Sequence, residues 1–487
     1  MDINRHCRNY SNNIIMTGLT RVCPLFFLSV VIWSGSLLGE TLDETLSRAY
    51  LGSTQLEVGR AQQRATDEQV PQALSNWRPS VTLSGGVTRS HTDFDPSQYN
   101  RIARGAGFET SKTVGIQVVE PLYRGGRTVA QTSQATNTVK AGQAQLKATE
   151  QNVLLAAAQS YLDVVRDQAT VDLTARNEGV LKRQLDAESD RFRVGEVTRT
   201  DVALSQASYQ QARAQHTSAV GTLATDRSQF QRVVGQAPGK LSLPDFHYRL
   251  PETLEDAVAD AEGNNPSVVA AEFVERASRD NVDVFEGARL PTVSLVGTYS
   301  RVYPAPGSTS TSLSAIGSAL TFGNIDHIDT GSIAAELSWP IYTGGLASSQ
   351  VRQAKQTANQ NLIAIEDAKR VARQSAISAW QQLTAARANI EALTAQVKAA
   401  EIGAEGTRQQ ALVGTSTVLD SLTAEQNLLQ AQVNLVGAQH DALSFSFSLL
   451  AAVGRMTAQD LGLAVTLYDP QINQDRVSDK IIGTGIN

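Results

Sequence analysis

The sequence predicts a mixed α and β membrane protein made by tandem duplication, each half supplying two membrane-crossing β-strands and long coiled-coil α-helices. Three observations predict it. The chain is written twice; four segments alternate apolar and polar residues over bilayer-crossing length; and each half carries a long stretch with coiled-coil spacing.

The duplication orders everything else. Glu40-Thr41-Leu42 returns as Glu252-Thr253-Leu254, and the match runs without a gap through Arg78-Pro79-Ser80-Val81 and Leu290-Pro291-Thr292-Val293. It resumes with the offset between the halves seven residues longer, where Glu120-Pro121-Leu122-Tyr123-Arg124-Gly125-Gly126 pairs with Trp339-Pro340-Ile341-Tyr342-Thr343-Gly344-Gly345. From there it holds to Val234-Gly235 and Val453-Gly454. The one length difference falls between the two strand-like stretches, where a loop absorbs it.

Residues 1–39 read as an export signal: Arg5, Arg8 and Arg21 precede an apolar run over 22–33 and the small residues Ser34-Gly35-Ser36. Cleavage is expected near Gly39, and a start at Met16 would give a more usual signal length. A retained anchor is the alternative, but the run is short for a spanning helix. Cys7 and Cys23 both lie in this segment, so a processed chain is expected to have no disulfide, thiol chemistry or cysteine metal site. Cys23 is not in a lipidation box. The net charge of −6 with scattered basic residues gives no nucleic-acid footprint.

The first repeat is expected over 40–251 and the second over 252–468. Strands are predicted near 80–90, 112–120, 292–301 and 332–340. In the first, Val81, Leu83 and Val87 alternate with Thr82, Ser84 and Thr88; in the last, Ile333, Ala335, Leu337 and Trp339 share one face. A half-buried soluble sheet alternates in the same way. The connections over 91–111 and 302–331, rich in Gly, Ser, Thr and Asp, lean toward long outward barrel loops. Four strands cannot close a barrel, and an open edge cannot face lipid, so several chains must share one; three copies give twelve strands.

Helical hairpins are predicted over 126–234 and 345–453. The long arm, proline-free from 126 to 193, extends roughly 100 Å at 1.5 Å per residue. Ala376, Leu383, Ile390, Val397, Ala404 and Ala411 mark its heptad line in the second half. In the first, Ala157, Val164, Val171, Leu185 and Phe192 keep that line, broken by Glu178. The return arms reach only about half that length. The segments opening each repeat have the length to cover the rest. Residues 469–487, polar and without period, are expected to form a flexible tail.

These motifs resemble the TolC family of outer-membrane efflux and secretion channels, over 40–465. The carriers are the duplicated Pro-[Leu/Ile]-Tyr-x-Gly-Gly, the Arg191-Phe192-Arg193-Val194-Gly195 run, the six-residue step from the turn glycine to Asp201 and Asp420, and Asn265-Pro266. The first half has Ser53-Thr54 at the last of these. The resemblance implies a homotrimer, with a twelve-stranded outer-membrane barrel continued by a twelve-helix periplasmic tunnel. It implies a passive exit duct that hydrolyses nothing, binds no cofactor, and docks onto a periplasmic adaptor (membrane fusion) protein and an inner-membrane ABC or RND-type transporter. The absent lipidation cysteine looks more like the type I protein-secretion branch than the lipidated drug-efflux branch. A periplasmic adaptor or a coiled-coil scaffold without a pore is the competing class, but neither calls for two hairpins alternating with membrane-length strand pairs.

The candidate site lies at the helical turns. Asp201 and Asp420 would give a trimer six carboxylates around one opening, enough to favour cations; the resemblance implies an acidic ring at the Asp420 depth. Thr198-x-x-Asp201 and Thr417-x-x-Asp420 equally read as capping boxes. Thr423 stands where the family has a second acid. Val194-Gly195 and Val413-Gly414 are expected either to meet the adaptor or merely to reverse the chain. The family's closing tyrosine and arginine are replaced by Ala411 and Ser416, leaving Arg193, Arg199 and Arg408 as candidate gating contacts. Gly125-Gly126 and Gly344-Gly345 lack a nucleotide-loop pattern. Tyr123, Tyr342, Trp77 and Trp339 sit where an interfacial girdle would be. His91, His216, His247, His327 and His440 show no metal-ligand spacing, and no catalytic set is evident.

Overall fold

The computed structural model describes residues 40–92, 107–303, 311–312, 320–321 and 326–486. The export segment, with Cys7 and Cys23, and most of the two long strand-connecting loops lie outside the described residues.

The first half runs α1 (Leu42–Gly52), α2 (Thr54–Asp67), α3 (Gln69–Leu74), β1 (Ser80–Thr92), β2 (Gly107–Tyr123), α4 (Arg127–Arg193) and α5 (Arg199–Val234). The second runs α6 (Leu254–Asn264), α7 (Pro266–Gly287), β3 (Thr292–Tyr303), the short pair β4 (Thr311–Ser312) and β5 (Leu320–Thr321), β6 (Ile328–Ser338), α8 (Leu346–Leu412) and α9 (Val418–Ala452); α10 (Pro470–Ser478) follows. One offset carries Leu42 of α1 onto Leu254 of α6, and one seven residues longer carries Arg127 of α4 onto Leu346 of α8. Both long helices have 67 residues.

The halves differ in one helix. α7 is continuous, whereas its counterpart is split into α2 and α3. Pro71 has no N–H to offer the Asp67 carbonyl four residues back, and α2 ends at Asp67. The matching position in α7 is Asp283, which keeps the bond available.

The strands form one antiparallel sheet in the order β1-β2-β3-β6. They are 13, 17, 12 and 11 residues long, each enough to cross a bilayer at a tilt. The two hairpins share a register: Ser80 opposes Val119 in the first, and their repeat partners Thr292 and Ser338 oppose each other in the second. Side-chain alternation then collects Val81, Leu83, Val87, Val114, Ile116, Val118, Leu295, Tyr299, Ile333 and Leu337 on one face. Within the chain these residues stay exposed, Leu83 at 75% and Ile333 at 82%. The opposite face carries Thr82, Ser84, Thr113, Gln117, Thr298, Ser300 and Ser332. Among the described residues, β1 and β6 each pair on one side only.

β2 begins at Gly107, earlier than its composition suggests, because Gly107–Ser111 continue the ladder opposite Thr88–Thr92. A register shift between Pro121 and Tyr123 turns Tyr123 onto the apolar face.

α4 is flanked by α5, α7, α9 and the α1–α3 segment, so small side chains are buried on several of its sides: Ala130, Ala135, Ala141, Ala144, Ala148, Ala157 and Ala158. In α8 the heptad line is buried at Ala376, Leu383 and Ala404, with Ala379 and Ala386 beside it. Glu178, which interrupts the line in α4, meets the ring of His216 on α5 at 2.7 Å. The main apolar core joins α1, the middle of α4, the end of α5 and residues 456–463, around Leu46, Leu154, Tyr161, Phe230 and Met456. The Tyr161 hydroxyl lies 2.9 Å from the Glu40 carbonyl and 2.8 Å from that of Ser242, tying the repeat's first residue to its last segment.

The expected flexible tail is corrected in part. Asp469 caps α10 with Pro470 in its first turn, and Asn473 hydrogen-bonds the buried Asp67 of α2 at 2.7 Å while Gln143 of α4 donates to Gln474 at 3.0 Å. The polar anchor at Asn473 and the burial of Val477 one turn later order this segment.

Candidate functional site at the helical tips

At the far end of each hairpin the chain reverses in five residues. Gly195 and Gly414 take φ of +85° and +79°, a region costly for any side chain. Glu196 N–H donates to the Arg191 carbonyl and Thr415 N–H to that of Gln410, each at 2.9 Å. These six-to-one bonds close the long helices in Schellman fashion. Val194 and Val413 project from the turns, 72% and 74% exposed, with Leu412 beside them.

The returning helices start with reciprocal capping boxes. Asp201 N–H donates to Thr198 Oγ1 at 3.2 Å, and Thr198 N–H donates back to Asp201 Oδ2 at 2.9 Å. Thr417 and Asp420 repeat this at 3.1 and 3.0 Å, and the Ser416 hydroxyl adds a bond to Asp420 Oδ2 at 3.2 Å. Every one of these bonds to carboxylate falls on Oδ2, so capping and a free negative face use different oxygens. Hydrogen bonds from the threonines hold both carboxyls below the ordinary carboxylate range. Both are ionised at neutral pH.

The candidate gating arginines do not bridge the hairpins within one chain. Arg193 pairs with Asp190 and Arg408 with Glu405, each on its own helix. Arg199 has no carboxylate partner among the described residues. The hairpins are joined near the tip by packing of Leu181, Ala212 and Leu422 instead.

Sequence reasoning missed a polar junction further along the tunnel. Arg166 of α4 contacts Asp163 and Asp167 at 2.9 Å and Asp226 of α5 at 3.2 Å. His440 of α9 lies 3.0 Å from Asp163 and 2.9 Å from Asp441, linking the two hairpins. Burial, then the shared hydrogen bond and charge of Asp167, push the Asp226 carboxyl up to about 6. For His440 burial alone would lower the imidazole, but bonds to Asp163 and Asp441 outweigh it and hold it above its ordinary value. The i, i+3 spacing of Asp163 and Arg166 was visible in the sequence; nothing there tied them to Asp226 or His440.

At the sheet, Tyr123 lies on the apolar face and Trp339 just beyond the end of β6, its indole donating to the Arg289 carbonyl at 3.2 Å. Tyr342 and Trp77 instead lie in the connections to the helices. Gly125 packs against Gly287, where a Cβ would meet the Gly287 carbonyl oxygen at 2.4 Å, so this glycine serves close backbone approach rather than a phosphate. Among the described residues no three His, Cys, Asp or Glu side chains are grouped to hold a metal ion, and no helix is long and apolar enough to cross a membrane.

The profile of the family described as outer membrane efflux protein matches residues 45–236 and 257–455, one block in each half. The chain belongs to this family. It is 34% identical over 469 residues to outer membrane efflux protein BepC of Brucella suis, covering 95% of this chain and 97% of that one. Against outer membrane protein TolC of Vibrio cholerae the identity is 26% over 451 residues, covering 91% and 97%. The fold is shared with the Campylobacter jejuni CmeC outer membrane channel at a TM-score of 0.73 and 16% identity, over 91% of this chain and 90% of that one. The protein is therefore an outer-membrane exit duct of the TolC type, in a family of channels rather than enzymes. The adaptor and scaffold alternatives fall away, since the match spans both halves.

Proposed function

We propose that three copies close one twelve-stranded barrel in the outer membrane and one helical tunnel across the periplasm, giving the exit of a tripartite export system. The observation that carries this reading is the edge on β1 and on β6 that has no partner among the described residues. Such edges cannot face lipid. The repeat supplies the missing partner and its register. Val114 and Ile116 of β2 oppose Arg301 and Tyr299 of β3. Their repeat equivalents place Ile333 of β6 opposite Arg89, and Ala335 opposite Val87, of a second copy. The helices follow the same logic: Asn137 of α4 donates to Asp280 of α7 at 2.7 Å, and the equivalent pair is Gln356 of one copy with Glu68 of the next. Both of those residues are exposed in the single chain.

In this assembly Val194-Gly195 and Val413-Gly414 form the tips that dock on a periplasmic adaptor, their exposed valines supplying the apolar contact. Asp201 and Asp420 form a ring of six carboxylates that favours cations. Of the three arginines, Arg199 is assigned to contacts that hold the tip closed between copies, since Arg193 and Arg408 have partners on their own helices. Beyond the adaptor stands an inner-membrane transporter of the ABC or RND type. It selects the cargo, because a duct lined by small polar side chains offers no shaped pocket.

The test combines mass and register. Protein extracted from outer membranes in mild detergent should have the native mass of a trimer. A Val87→Cys, Ala335→Cys double variant should cross-link between copies into a covalent trimer, and Val87→Cys with Ala334→Cys should cross-link far less. A monomeric mass, or equal cross-linking in both registers, would sink the shared barrel as drawn.

A further inference from the structure

The chemistry of the apolar face changes at the end of the sheet away from the helices. Moving outward, the paired rows are Leu83, Ile116 and Tyr299; then Val114, Arg301 and Asp329; then Val87, Lys112 and Tyr303; then Arg89 with Thr110. Three cations thus enter one face within three consecutive rows, directly above a band of Val, Leu and Ile. Arg301 is held by both oxygens of Asp329, at 2.7 and 2.8 Å, which cancels its charge. Arg89 and Lys112 have no carboxylate partner among the described residues. The Arg89 guanidinium lies 4.6 Å from the centroid of the Phe108 ring, which holds it in place. Tyr299 and Tyr303 flank the row from β3.

The height of this row decides what it meets. From Trp339, just past the helical end of β6, to Asp329 is ten residues along the chain. At ~3.4 Å per residue and a tilt of about 40°, that is roughly 26 Å along the membrane normal. The apolar band of an outer-membrane barrel is about 25 Å tall, so the Arg301–Asp329 row sits at the outer boundary of the hydrocarbon, where charge on the lipid face ceases to be costly, and Lys112 and Arg89 follow in the next two rows of their strands. A surface with acyl-matching side chains below and, above, cations without a carboxylate partner among the described residues is complementary to a phosphorylated lipid, and to a soluble phosphate only in its upper part.

We propose that this rim binds the phosphate groups of outer-leaflet glycolipids, with Arg89 and Lys112 as the principal ligands and Tyr299, Tyr303 and Phe108 against the sugar and upper acyl region. The proposal rests on the barrel reading above. In the inferred register, Arg89 of one copy lies opposite Ile333 of the next, so the cations form one cluster per copy, three around the barrel, rather than an unbroken row.

The experiment uses the full-length oligomer in detergent, with bound lipid counted by native mass spectrometry. Three probes are titrated: bisphosphorylated lipid A, the same lipid with both phosphates removed, and inorganic phosphate. The phosphorylated lipid is expected to bind at least tenfold tighter than its stripped form. The Arg89→Gln, Lys112→Gln double variant should lose that preference while retaining the oligomeric mass and the weaker binding of stripped lipid. Equal binding of the two lipids by the unmodified protein, or an undiminished preference in the double variant, overturns the proposal. So does displacement of the lipid by equimolar inorganic phosphate, which would mark a site for free phosphate. Should the double variant not assemble, the single Arg89→Gln and Lys112→Gln changes are read in the same way, each expected to lower the preference at least threefold. A monomeric unmodified protein would sink the barrel itself before any lipid is added, which separates the two failures.

Discussion

Asp201 and Asp420 each close a capping box through Oδ2, which leaves the other oxygen free of the cap for the carboxylate ring proposed above. Replacing either by Asn preserves an acceptor for the cap while removing the charge, so Asp201→Asn, Asp420→Asn should lower cation selectivity in planar bilayers without changing the melting temperature by more than a degree or two. A reversal potential unchanged from the original protein would assign these residues to capping alone. Because their folded values are depressed, the stabilisation they give is present above the ordinary carboxylate value and is lost only as pH falls through the folded one. The tips are thus insensitive to pH near neutrality. The junction of Asp163, Arg166 and Asp167 on α4, Asp226 on α5, and His440 and Asp441 on α9 behaves oppositely. Asp226 at about 6 and His440, also raised, stabilise the fold fully below their unfolded values and lose that contribution as pH rises, Asp226 through about 6. The melting temperature should fall from about pH 4 to about pH 7, and Asp226→Asn should flatten the part of that fall below about pH 6 and raise the value at pH 7.5. A fall as steep in the variant as in the original protein would remove Asp226 from the explanation.

At the scale of elements, the strands carry the sharpest test. Leu83 stands at mid-face of β1, and Leu83→Arg should cost about 2–4 kcal/mol of barrel stability, read as loss of trimers from the outer membrane. In the helical region Phe230, fully buried on α5, should cost about 3–5 kcal/mol on change to Ala; the yield of folded chain should drop while residual trimers keep their conductance. Much of this was legible in the sequence, because both periods repeat: the alternation of Val81 to Val87 and the heptads of α8 each appear at a fixed offset. What escaped reading did so for physical reasons. Gly107–Ser111 have loop composition yet extend β2, since a ladder bond needs only backbone. α10 has no apolar stripe to read, and its anchor is the hydrogen bond from Asn473 to Asp67, 406 positions away in sequence. The Asp226–His440 junction likewise joins helices that no local spacing connects.

Over the whole molecule, the offset between the halves acts as a rule of assembly. Under the assembly proposed above, contacts seen inside one chain, such as Val114 opposite Arg301 or Asn137 with Asp280, foretell those between copies, each half meeting its neighbour as it meets its sister. Pro71 and α10 are where the rule lapses, each occurring once per chain, so the duct is nearly six-fold along its strands and three-fold in its detail. The open edges of β1 and β6 have a genetic consequence. A copy with one ruined edge still offers the other intact, so it can enter an assembly that it cannot complete. Where such copies and sound ones are made in equal amounts, only roughly one trimer in eight would be free of the defect. Edge-strand alleles of this gene should therefore be dominant, while alleles that abolish the chain altogether should be recessive.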